Sequence, residues 1–415
     1  MSCKHLFLIT SIITLSLAGC GTSFNPTDNT TTDLTESTKN TVSDSANDDY
    51  DKDNQEIPDD LIDMQTEDVA IPNLTISEFF NEHNLRVGTC LSPEMINRKD
   101  TEDLILNQFN SITMENALKP DYILDKKKSI EAGDIVVNIN SDVIKMLDWS
   151  KQNHMAVRGH TLIWHSQTPD WIFYEDFDTS KELVSREVML SRMDSYIHQV
   201  FDFITDNGYS DLFYAYDIVN EAINDDGTMR ESNWLTTIGD DYLWHAYNYA
   251  NMYAPDNIDL YYNDYNEQYK SNALVKFVET LVDDEGNYLI DGIGLQAHLY
   301  TNDNLNSYFK AVEKLASTGL KLEITELDVS LGSWNNTLPG SDDNLKIQGK
   351  YYYDFINKLF ALVDSGSINM DSLTFWGFCD TMSWRKEASP LLYDGSLDPK
   401  YAYYGVLQQK DKCGY

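Results

Sequence analysis

The chain has 415 residues, 42% of them hydrophobic and 12% aromatic, enough to bury a large core. A formal net charge of −38 excludes nucleic acid as a partner, because neutralising phosphates takes a basic face. An uncharged polymer remains compatible.

At the N-terminus Lys4 precedes an apolar run from Leu6 to Leu17, too short to span a bilayer, and Leu17-Ala18-Gly19 sets small residues before Cys20. This pattern predicts a cleavable signal peptide over residues 1–19. Leu17-Ala18-Gly19-Cys20 resembles the bacterial lipoprotein signal. That resemblance implies cleavage before Cys20, lipidation at that residue, and an extracytoplasmic, cell-surface protein held to a membrane through its lipid anchor only. The alternative is an ordinary signal peptide with a cysteine near its end.

From Gly21 to Ala70 the chain is rich in Thr, Asn, Ser and Asp, with fourteen Asp and Glu against two Lys. Such a segment cannot bury a core, so residues 20–70 are expected to be the lipidated cysteine followed by a disordered acidic linker. Residues 71–415 are expected to form one monomeric catalytic domain.

Eight short β-branched or aromatic runs follow. They are Leu85–Thr89, Ser111–Met114, Met155–Gly159, Phe213–Val219, Ile258–Tyr262, Gly292–Leu295, Leu320–Ile324 and Ser372–Trp376. Between them lie stretches with helical apolar spacing, including Val143–Leu147, Val184–Phe203, Leu274–Leu281 and Tyr352–Val363. Strict alternation favours a parallel α/β sheet, and eight units favour a closed (β/α)₈ barrel. No Gly-x-Gly-x-x-Gly follows a strand, against a dinucleotide fold.

Three cysteines remain beyond the linker, Cys90, Cys379 and Cys413. First and last strands adjoin when a barrel closes, so a Cys90–Cys379 disulfide is expected. No Cys/His spacing fits a structural zinc site, and no metal or cofactor is expected.

Two strings, Asp217-Ile218-Val219-Asn220-Glu221-Ala222 and Ile324-Thr325-Glu326-Leu327-Asp328-Val329, carry apolar runs into a glutamate. The C-terminal strand ends of a barrel open onto one face, so distant glutamates can flank one bond. One carboxylic acid and one carboxylate are what glycoside cleavage requires.

Further strings accompany them in order. Phe109 to Pro120 includes Met114-Glu115-Asn116-Ala117-Leu118-Lys119, and Arg158 to Trp171 includes His160-Thr161-Leu162-Ile163-Trp164-His165. Asn263-Asp264-Tyr265-Asn266, Gly294-Leu295-Gln296-Ala297-His298 and Phe375-Trp376-Gly377 complete the set. With these motifs the chain from Leu74 to Leu407 resembles glycoside hydrolase family 10 endo-β-1,4-xylanases.

The resemblance implies a retaining double displacement with Glu326 as nucleophile and Glu221 as general acid/base, their carboxyl groups roughly 5–5.5 Å apart. It further implies that Glu115, Asn116, Lys119 and His160 grip sugars on the non-reducing side of the cleaved bond. Asn220 is expected to hydrogen-bond the 2-hydroxyl. Gln296 and His298 stand one strand before the nucleophile, and His298 is placed to donate to Glu326. Tyr265, Trp164, Trp376 and Trp384 supply flat faces for sugar C–H groups. Xylan and xylo-oligosaccharides are the implied partners.

Three alternatives compete. A retaining β-glucanase on the same barrel changes only the polymer, and a non-catalytic glycan-binding surface lipoprotein would keep the barrel without turnover. His160, His165 and His298 raise a barrel metallohydrolase, but a metal site has no need of the tryptophan-rich rim.

Overall fold

The computed structural model describes residues 74–415. The signal peptide, Cys20 and the acidic linker lie outside the described residues.

Eight parallel strands form the central sheet: β1 (Arg86–Leu91), β2 (Ser111–Met114), β3 (Ala156–Trp164), β4 (Phe213–Asn220), β5 (Asp259–Asp264), β6 (Gly292–Leu295), β7 (Lys321–Ser330) and β8 (Met370–Phe375). Each pairs with its sequence neighbour, and β8 pairs with both β7 and β1, which closes the ring. The β1–β8 register sets Arg86 against Ser372 and Thr89 against Phe375. Helices cover the outside after each strand: α1 (Lys99–Gln108), α2 (Ser141–Gln152), α3 (Arg186–Asp206), α4 (Tyr242–Tyr253), α5 (Glu267–Val278), α6 (Leu305–Ala316), α7 (Asp342–Asp364) and α8 (Tyr401–Val406). The expected (β/α)₈ barrel is what the chain forms.

Local sequence explains the element ends. The side chain of Asn140 accepts from the Asp142 and Val143 backbone N–H groups at the start of α2, and Ser185 and Ser341 do the same for α3 and α7. On α7, Tyr351, Tyr352, Phe355, Ile356, Leu359 and Phe360 are buried, the three-and-four spacing of one helical face. Leu281, expected within a helix, lies beyond α5. Thr280 Oγ1 donates to the Phe277 carbonyl at 2.6 Å, a local bond that competes with helix continuation.

The barrel interior carries a buried ion cluster. Arg158 on β3 donates to Glu323 of β7 from Nε at 2.9 Å and pairs with Asp217 of β4 through its terminal nitrogens. Gly292 makes room for Tyr261, whose ring would lie 2.2 Å from a Cβ at that position.

Two features were not anticipated. Strand β7 continues past Glu326 to Ser330, because a short strand, His298–Tyr300, pairs alongside it with His298 opposite Asp328. Glu326 is therefore inside a strand whose position is fixed on both sides. Beyond β7 a small antiparallel hairpin joins Gly332–Ser333 to Asn336–Thr337.

The expected Cys90–Cys379 disulfide is not formed; Cys90, Cys379 and Cys413 are free and buried. β8 ends at Phe375, opposite Thr89, and the chain then turns, with the Gly377 N–H donating to the Phe375 carbonyl at 2.8 Å, so that Cys379 pairs with Tyr393 and not with β1. The Cys379 thiol instead donates to the Asp394 carbonyl at 3.0 Å.

Candidate active site

The C-terminal strand ends surround a cleft of about 530 Å³. Its walls include both glutamates, Glu221 and Glu326, and all eleven residues expected to bind substrate. They come from seven strand ends or the loops after them: Glu115, Asn116 and Lys119 after β2; His160 and Trp164 on β3; Asn220 on β4; Tyr265 after β5; Gln296 and His298 after β6; Glu326 on β7; Trp376 and Trp384 after β8.

Glu326 is 5% exposed and doubly held. Asn263 Nδ2 donates to its Oε1 at 2.7 Å, and His298 Nε2 lies 3.3 Å from its Oε2. Burial alone would push this carboxyl up. The His298 hydrogen bond and the charges of His160, His298 and Lys119 outweigh it and hold Glu326 at about 2. It is a carboxylate at every ordinary pH.

His298 is the counterpart. Burial alone would pull the imidazole down, but the charge and hydrogen bond of Asp328, with Nδ1 to Oδ2 at 3.0 Å, and the bond to Glu326 raise it to about 9. As an imidazolium it donates from both ring nitrogens. Asp328 is fully buried and also accepts from Trp384 Nε1 and Arg385 Nη1, each at 3.0 Å. One carboxylate thus fixes the histidine that holds Glu326 and the cleft tryptophan together.

Glu221 follows β4 with its backbone in the left-handed region, φ 55°. Such conformations are uncommon for a non-glycine residue and concentrate at functional sites. Its N–H donates to the Asn263 carbonyl at 2.9 Å. The carboxylate accepts from Trp164 Nε1 at 3.0 Å on one oxygen, and from Gln296 Nε2 at 2.9 Å and Asn220 Nδ2 at 3.3 Å on the other. Asn263 links the two glutamates, since its Nδ2 also reaches Asn220 Oδ1 at 3.0 Å.

At the opposite wall Lys119 Nζ donates to Asn116 Oδ1 at 3.1 Å and Gln167 Oε1 at 2.8 Å, with its ammonium 4.9 Å from the Trp164 ring centre. Burial lowers Lys119 and raises Glu115. His160 Nδ1 is bound to Asp217 at 2.8 Å, and its ring meets Trp376 edge to face at 5.4 Å. Trp376 is 6% exposed and Trp384 56%. The first is a floor and the second a projecting rim.

Among the described residues no three His, Cys, Asp or Glu side chains converge as metal ligands. The metallohydrolase alternative has no cluster there to build on.

Asn263, Asp328, Gln167, Arg385, Tyr300 and Trp334 belong to the site without having been singled out from sequence. Asn263 and Asp328 stood inside quoted motifs. Their signal was a polar side chain two residues from a glutamate or tyrosine already chosen, at strand ends where alternate residues share a face.

Residues 75–409 match Glycosyl hydrolase family 10. The chain is 36% identical over 340 residues to endo-1,4-β-xylanase B of Butyrivibrio fibrisolvens, covering 79% of this chain and 52% of that one. It is 32% identical over 363 residues to endo-1,4-β-xylanase A of Caldicellulosiruptor saccharolyticus, covering 82% and 98%. It spans about half the length of the Butyrivibrio protein. Among solved structures, the N-terminal CBM22-1–GH10 modules of endo-1,4-β-D-xylanase 10B from Clostridium thermocellum, complexed with xylohexaose, superpose with a TM-score of 0.73 at 33% identity over 81% of this chain and 68% of that one. The intracellular xylanase of Thermoanaerobacterium saccharolyticum gives 0.70 at 32% identity over 80% and 98%. With the family matched across the whole barrel and its motifs gathered on one cleft, the chain belongs to glycosyl hydrolase family 10.

Proposed function

We propose that the chain cleaves internal β-1,4-xylosidic bonds of xylan by a retaining double displacement. The observation that carries this reading is the pairing of a carboxyl held at about 2, Glu326, with a second glutamate, Glu221, across one cleft. Glu326 attacks the anomeric carbon while Glu221 protonates the departing oxygen; Glu221 then deprotonates the water that releases the glycosyl-enzyme. Neither step needs a cofactor. Glu115, Asn116, Lys119 and His160 bind sugars on the non-reducing side. Trp164, Tyr265, Trp376 and Trp384 offer stacking faces, and Asn220 binds the 2-hydroxyl.

The choice of xylan is supported by the xylanase names of the relatives and by the xylohexaose bound in the Clostridium thermocellum modules. One relative, 34% identical, is named an exoglucanase, which keeps β-glucan as the competing polymer. Digestion of linear xylan and β-glucan by the purified protein, with product anomers followed by NMR, tests the reading. Initial β-anomers from xylan are expected. Initial α-anomers would reject retention, and faster β-glucan cleavage would reject xylan. Replacing Glu326 by Ala should abolish turnover, and formate or azide should partly restore it.

The membrane address is proposed on Leu17-Ala18-Gly19-Cys20: a lipid on Cys20 holds a monomeric catalytic barrel at the cell surface through the acidic linker. Cys20→Ser should leave xylan hydrolysis unchanged and move the protein from the detergent phase to the aqueous phase. Identical partitioning of both forms would reject the anchor.

A further inference from the structure

Trp334 is 78% exposed, the most exposed of the large apolar side chains among the described residues. It sits at the tip of the hairpin after β7, where Ser333 pairs with Asn336 and only Trp334 and Asn335 connect them. Tight turns favour Gly, Asn, Asp or Ser for backbone reasons. A tryptophan adds nothing to the turn and leaves its indole in water.

The hairpin is held firmly. Leu331 N–H donates to the Ala388 carbonyl at 3.0 Å, Gly332 N–H to Thr301 Oγ1 at 2.9 Å, and Leu338 N–H to the Leu331 carbonyl at 3.1 Å. Gly332 has φ 98°, and a Cβ there would lie 2.1 Å from the Asn336 carbonyl oxygen. The hairpin is thus tied to the loops after β6 and β8 and presents Trp334 at a fixed place.

That place is the cleft wall. Trp334 meets Tyr300 edge to face at 6.4 Å, and the Arg385 guanidinium lies 5.0 Å from the Tyr300 ring centre and 4.7 Å from that of Trp384. In the closed ring of eight strands, β6 and β7 stand across from β2 and β3, whose loops carry Glu115, Asn116, Lys119 and Gln167. A flat apolar face opposite the polar grip fits the C–H face of an uncharged pyranose.

We infer that Trp334, braced by Tyr300, is a sugar-stacking platform that adds a subsite on the leaving-group side of the cleaved bond. The inference rests on the xylanase reading above and names a residue that determines how much of the chain beyond the scissile bond is held. The test compares wild type, Trp334→Ala and Trp334→Phe on xylohexaose and on an aryl β-xylobioside, which has no sugar on the leaving-group side. Trp334→Ala should lose about three- to tenfold in kcat/KM on xylohexaose, keep its rate on the aryl substrate, and shift cleavage toward products with fewer sugars on the leaving-group side. Trp334→Phe should recover most of the loss. An unchanged xylohexaose rate and cleavage pattern in Trp334→Ala, or equal losses on both substrates, overturns the inference. Failure of the wild type on both substrates sinks the xylanase reading and this inference with it.

Discussion

His298 lies between two carboxylates of one strand, with Nε2 3.3 Å from Glu326 and Nδ1 3.0 Å from Asp328. The arrangement follows from period two: residues 326 and 328 share a face of β7, and the paired strand His298–Tyr300 sets the imidazole against both. A charge shared this way keeps Glu326 ionised.

The pair gives stability a pH signature. His298 is raised from 6.5 to about 9, so its contribution is complete below 6.5 and is lost as pH rises through 9. Glu326 is lowered from 4.5 to about 2, so its contribution is present above 4.5 and is lost as pH falls through 2. The difference in Tm between wild type and His298→Asn should therefore be greatest between pH 4.5 and 6.5 and shrink on either side. A difference constant from pH 5 to 9 would mean that His298 is neutral.

Asn263 is the shared donor to Glu326 and Asn220. A hydrogen bond to a charged group contributes about 1.5–3 kcal/mol. Asn263→Ala is therefore expected to lower kcat/KM on xylan by about ten- to a hundredfold. Asn263→Asp places a second carboxyl beside Glu326 and should move the acid limb of the pH–rate profile upward. An unmoved limb would show that residue 263 does not act on Glu326.

Glu221 can be separated from Glu326 by leaving group. Loss of an acid/base group costs about 10²–10⁴ where protonation is required. Glu221→Ala should fall by that much on xylan but keep most of its glycosylation rate on aryl xylosides with good leaving groups. Equal losses on both would remove the acid/base role.

Asn116 accepts from both Lys119 and Gln167, the latter at 3.2 Å. Asn116→Ala strips an acceptor from a buried ammonium as well as a contact from the sugar, a loss of roughly 1–3 kcal/mol per unpaired group. Remote binding energy is partly realised in the transition state, so kcat should drop along with affinity on long xylo-oligosaccharides. A short aryl xyloside should be much less affected. A uniform small change would place Asn116 outside the binding set.

Strand positions were legible because a doubly covered parallel sheet needs unbroken apolar runs, and all eight runs became strands. The gathering of Glu115, His160, Glu221, Gln296 and Glu326 was legible for a related reason: a closed barrel sends every strand's C-terminal end to one face. What stayed hidden were the relations between neighbours. Asn263 and Asp328 were visible as residues, but that one would bridge two glutamates and the other would hold His298, Trp384 and Arg385 depends on cross-strand register.

Cys90 and Cys379 show the same limit from the other side. Adjacent strands suggested a bridge, but past Phe375 the chain turns and pairs Cys379 with Tyr393, and both thiols stay free. Trp334 carried no local signal at all, since nothing in a two-residue turn says which way its side chain faces; the backbone bonds to Thr301 and Ala388 decide it. The sequence alone determined the barrel and the face on which Glu221 and Glu326 meet in one cleft, because periodicity and strand-end position are local properties. The charge state of Glu326, the reach of the cleft and the free thiols were decided only by tertiary structure, because each depends on angstrom-scale distances between residues far apart in the chain.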